Sequence, residues 1–99
     1  MAAAQEAQAA TLALPAALTL RDARSALATL GPAIDSADAP TIVIEAGALT
    51  HIDSASLAVL LQCRRLAEAR QRGFEVHHAP PKLVDLAKLY GVAELLGIV

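Results

Sequence analysis

At 99 residues, the chain has room for one hydrophobic core. A net charge of −2 and only two aromatic rings, Phe74 and Tyr90, exclude the basic face and stacking platform of a nucleic-acid reader. Cys63, the single cysteine, excludes an intrachain disulfide, and the uncharged run Ala7 to Leu20 is too short for a membrane span and contains Pro15.

The N-terminus lacks a secretory signal, so a cytoplasmic protein without direct membrane insertion is expected. Residues 1–9 are rich in alanine and glutamine and predict a disordered leader, with one domain over 10–99. Thr11–Leu14 and Ala17–Leu20 alternate on either side of Pro15-Ala16 and predict two short strands joined by a turn. Thr19 and Asp22 form a T-x-x-D capping pattern. Ala23, Ala26, Leu27 and Leu30 then share one helical face, and Gly31-Pro32 predicts a stop. After a polar loop at 35–40, the β-branched Ile42, Val43 and Ile44 within Thr41–Glu45 predict a central strand covered on both sides. Gly47 to Ile52 connects it to a helix over 54–72, with Gly73 at C′. Phe74 to His78 alternates as a strand. Ala79-Pro80-Pro81 is a rigid turn that leads into a helix whose face is Leu83, Leu86, Ala87 and Tyr90, ended by Gly91. Ala93 to Val99 predicts one more helical turn. This order predicts an α/β fold, a small mixed sheet of about four strands packed with helices.

The helix after Asp53 carries the functional signal. At 100° per residue, Val59, Leu60, Cys63, Leu66 and Ala67 form a core stripe. Ser54, Leu57, Ala58, Leu61, Arg65 and Glu68 fall opposite, on the expected solvent side. Two leucines one turn apart beside a polar helix start predict a partner-binding face made by Ser54, Leu57, Ala58, Leu61 and Arg65. Asp53 is the expected helix cap. A phosphate on Ser54 would meet free amides at the helix start and put about two negative charges into an apolar patch, which makes Ser54 a candidate phosphorylation site and off-switch.

No chemistry competes with this reading. Alternation points His77 and His78 to opposite faces of a strand, so no metal site is expected. His51, Asp53 and Ser54 are too close in sequence for a hydrolase triad, and no nucleophile elbow is present. There is no glycine-rich phosphate loop, and no cofactor is expected. Cys63 lies on the core stripe, and Tyr90 is expected to pack in the core.

Asp53-Ser54-Ala55-Ser56-Leu57, after an apolar strand and before a long amphipathic helix, resembles the signature of STAS domains. Leu86-Ala-Lys-Leu-Tyr-Gly91 and Thr11-Leu-Ala-Leu14 are similar to segments of the MlaB-like STAS subunit of the Mla phospholipid-transport ABC system. The resemblance implies the STAS (SpoIIAA-like) fold and no enzymatic activity. It further implies an ABC transporter ATPase subunit (MlaF-like) as partner, with the protein peripheral to the inner membrane through that partner. The alternative it implies is an anti-sigma-factor antagonist whose partner serine kinase phosphorylates Ser54. The family often has glycine where Ser56 stands, which implies a changed approach of helix and strand there.

Overall fold

The computed structural model of the chain describes residues 8–99. Five strands form: β1 (Ala9–Ala13), β2 (Ala17–Leu18), β3 (Thr41–Glu45), β4 (His51–Ile52) and β5 (Gly73–His77). Three helices form: α1 (Ala23–Ser36), α2 (Ser54–Ala69) and α3 (Pro81–Leu89). The class is α/β, as expected, and every strand pairing among the described residues is parallel. β3 lies between β1 and β5, because its three consecutive β-branched residues favour extended backbone. Ile98 adds a parallel bridge to Val76 at the far edge.

The segments around Pro15 do not pair with each other. β2 pairs instead with β4, extending the β1–β3 ladder beyond an interruption. The Leu14 N–H donates to the Glu45 carbonyl, and the next contact is the Ala16 carbonyl accepting from the amides of Thr50 and His51. The predicted leader lies mostly outside the described residues, but Ala9 already pairs with Thr41.

Right-handed crossovers that step in one direction across a parallel sheet stack their helices on one face. Ile42, Ile44 and Val76 point to that face and are fully buried. The opposite face carries Val43 in register with the exposed Thr11 and the half-buried Glu75. The expectation that β3 is covered on both sides holds for burial, since Ile42, Val43 and Ile44 are all buried.

Three local expectations also change. Gly31-Pro32 does not stop α1, which continues to Ser36 with Pro32 inside it. Proline in a helix interior loses a hydrogen bond at a cost of about 3 kcal/mol. Burial of Leu30 and Ile34 on either side of it offsets that cost. The predicted C′ glycine of α2, Gly73, is instead the first residue of β5, and Gln71 takes the left-handed position with φ 58°. The Gln71 N–H donates to the Glu68 carbonyl and the Arg72 N–H to that of Ala67, the two bonds of a Schellman motif. Tyr90 is 59 % exposed rather than in the core. It follows the last residue of the nine-residue α3, beyond the buried Leu83 and Ala87, where the chain turns away through Gly91 at φ 71°.

Candidate partner-binding site

The parallel pair β2–β4 delivers two loops to one place. Leu18 is in register with Ile52, so the turn after β2 and the start of α2 leave the pair side by side. Asp53 links the two loops. Its backbone is extended, and its Oδ1 accepts the Ala55 N–H at 2.9 Å as the helix cap, as expected. Its Oδ2 accepts the Leu20 N–H at 3.2 Å. The second loop is braced from its other side, where Asp22 Oδ2 accepts the Thr19 N–H at 3.0 Å and the Thr19 hydroxyl at 2.8 Å. Those bonds, the hydroxyl's first, hold the Asp22 carboxyl below its ordinary value.

Ser56 fastens the helix to the strand beneath it. It is the one buried polar residue among those described. Its hydroxyl donates to the Leu18 carbonyl and accepts the Asp53 N–H at 3.2 Å, completing a capping box with a serine in the role of the usual Glu or Gln. The Ser56 side chain is therefore accommodated between helix and strand, which it joins by hydrogen bonds.

Of the five residues predicted to bind a partner, Ser54, Ala58 and Arg65 are exposed and Leu61 is half-buried. Leu57 is not on the surface. It is 3 % exposed and belongs to the core cluster that includes Leu83 and Ala87 of α3. Gly31 of α1 faces Leu66 on one flank of α2. α3 follows the next crossover and lies on the other flank, toward which Leu57 and Leu60 both turn. The α2 stripe that remains open is Ser54, Ala58, Leu61, Arg65 and Glu68. Arg64 pairs with Glu68 at 2.9 Å, one helical turn on. Arg65 makes no ion pair among the described residues.

Leu20 was not legible as a site residue, yet it is 79 % exposed and its amide is bonded to Asp53, the residue before Ser54. Sequence alternation groups it with the buried Leu18, and only the two-residue length of β2 puts it outside.

The groups around the Ser54 hydroxyl are engaged elsewhere. His51 Nδ1 lies 3.1 Å from Thr50 Oγ1, and both Asp53 oxygens accept amides. Cys63 is fully buried, and its thiol is pushed up to about 11 by desolvation, which leaves it inert.

The two adjacent histidines depart from simple alternation. His78 adopts φ 58°, which brings its Nδ1 to 2.7 Å from Glu45 Oε1. Glu45 is in register with His77, so both imidazoles gather at one end of the sheet, with ring centroids 6.3 Å apart. Among the described residues no group of three or more potential ligands is arranged to hold a metal ion. No helix among them is long and apolar enough to cross a membrane.

The family model described as "Mlab, STAS domain" matches residues 1–97. A solved structure of the anti-sigma factor antagonist SpoIIAA in its unphosphorylated form is similar at TM-score 0.75 and 17 % identity, covering 94 % of this chain and 79 % of that one. No curated protein matches.

Proposed function

Because this chain belongs to the STAS domain family of the MlaB type, we propose that it is a non-catalytic adaptor for the ATPase subunit of an ABC phospholipid transporter. In this role it binds and regulates that ATPase, stays on the cytoplasmic side of the inner membrane through it, and supports the lipid asymmetry of the outer membrane. The observation that carries the reading is the start of α2. Ser54 and Ala58 are exposed on a helix end whose surrounding backbone is pinned by Asp53 and Ser56. A surface that is already ordered loses little freedom on docking. The partner-binding stripe is Ser54, Ala58, Leu61 and Arg65, with Leu57 supporting it from below.

The test is co-purification with the ATPase subunit. Ser54→Asp and Leu61→Arg should each weaken the complex at least tenfold while the protein stays folded. Wild-type affinity in both variants would remove this stripe from the interface.

One observation favours a second reading, that of an anti-sigma-factor antagonist. Ser54 is exposed at the first helical position, where an added phosphate would be accessible to a serine kinase and would meet the positive end of α2. Mass spectrometry of protein from growing and stressed cells should then find phosphate on Ser54. Its absence in both would dismiss this alternative.

A further inference from the structure

We propose that Leu20 is the apolar anchor of the partner-binding surface, and that the partner meets it with a nonpolar socket bracketed by carboxylates. This rests on the adaptor reading and specifies the chemistry of the partner's contact.

Leu20 is 79 % exposed, but it is not carried on a loose loop. Its own amide is bonded to Asp53, and the residue before it is bonded twice to Asp22. A large aliphatic side chain held rigidly in water is an unfavourable arrangement for a lone domain. It becomes favourable when a partner buries the side chain, because the ordering cost is already met. Its amide bond to Asp53 sets the Leu20 backbone beside the start of α2, where the open stripe begins with Ser54.

Two cations border this surface without an ion-pair partner among the described residues. Arg21 follows Leu20 in the chain, and Arg65 lies near the other end of the open α2 stripe, one turn before Glu68. Both are exposed, and neither makes an ion pair among the described residues. Glu68 is already paired with Arg64, and Asp22 and Asp53, still charged, are turned to backbone and hydroxyl donors of their own loops. A complementary partner therefore presents carboxylates at both ends of an apolar centre. The other strongly exposed leucine of a helix end, Leu89, lies at the C-terminal end of α3, at the opposite end of the helix layer. It serves as the control.

The experiment measures affinity of the full chain for its co-expressed ABC ATPase subunit at low and high salt. Leu20→Asp should weaken binding at least tenfold, and Leu20→Ala should weaken it by a smaller factor in the same direction. The Arg21→Glu, Arg65→Glu double variant should lose affinity and lose most of the salt dependence. Leu89→Asp should bind as wild type. If both Leu20 variants bind as wild type while Ser54→Asp does not, the anchor is wrong and the adaptor reading stands. If the double variant keeps both affinity and salt dependence, the acidic bracket is wrong. If the wild-type chain fails to bind the ATPase at all, the adaptor reading falls and this proposal falls with it. Salt-dependent self-association of the wild-type chain, abolished by Leu20→Asp, would likewise overturn it in favour of a second copy as the occupant.

Discussion

The hydroxyl of Ser56 donates to the carbonyl of Leu18 across 38 residues of sequence, joining the first turn of α2 to the end of β2. Both partners are buried. The same oxygen accepts the Asp53 N–H, so one side chain satisfies two backbone groups. Ser56→Ala should strand both groups and cost about 2 kcal/mol of unfolding free energy, read by chemical denaturation with the slope unchanged. A loss below about 0.5 kcal/mol would mean that water replaces the hydroxyl.

Leu57 and Leu61 are one turn apart on α2 and should respond oppositely to truncation. Leu57 is buried in the core, so Leu57→Ala should cost about 3 kcal/mol of stability. Leu61 is only half-buried, so Leu61→Ala should cost about 1 kcal/mol or less while lowering affinity for the partner. Equal stability losses would contradict their placement.

Backbone conformation supports a pair of opposed substitutions. Gln71 holds a left-handed φ of 58° at the end of α2. Gln71→Gly should relieve that cost and raise stability by about 0.5–1 kcal/mol. Gly97 also has a left-handed φ, of 62°, and a Cβ there would lie 2.4 Å from the Phe74 carbonyl oxygen. Gly97→Ala should destabilise by about 2 kcal/mol or more, because the terminal segment must leave β5 to admit the methyl group. Thermal unfolding of the two variants measures both directions.

The Glu45 carboxyl titrates below its ordinary value of 4.5, first because of the hydrogen bond with His78 and second because of the Gly47 N–H. A lowered carboxyl favours the folded state above its unfolded value. That contribution is lost as pH falls through the folded value, so it disappears on the acid side of 4.5. The group is exposed, and its own titration is the sensitive readout. An NMR titration of His78→Ala should show the Glu45 midpoint move upward. An unmoved midpoint would show that the imidazole does not stabilise the carboxylate.

Much of this chain was legible from local rules. Asp53 caps α2 because an acid next to free amides needs no distant partner. Of the core stripe Val59, Leu60, Cys63, Leu66 and Ala67, all are buried as periodicity requires except Leu66, which is half-buried against the core. Gly91 ends α3 with the left-handed φ that glycine favours. The α/β class follows from the order of these elements.

The remainder depended on neighbours that sequence spacing does not identify. Helical periodicity assigns each side chain an angle, but which angles are covered depends on how many helices flank α2. α3, arriving from beyond β5, covers the angle of Leu57 and leaves that of Ser54 and Ala58 open. Pro32 is carried inside α1 because tertiary burial on both sides of it outweighs a local preference to stop. Leu20 shares its alternation with Leu18, yet one is exposed and the other buried, because β2 ends between them. Hydrogen-bond caps and helical period act over a few residues and can be read along the chain. Burial is a property of what lies opposite, and only the folded arrangement of β2, α2 and α3 decided it.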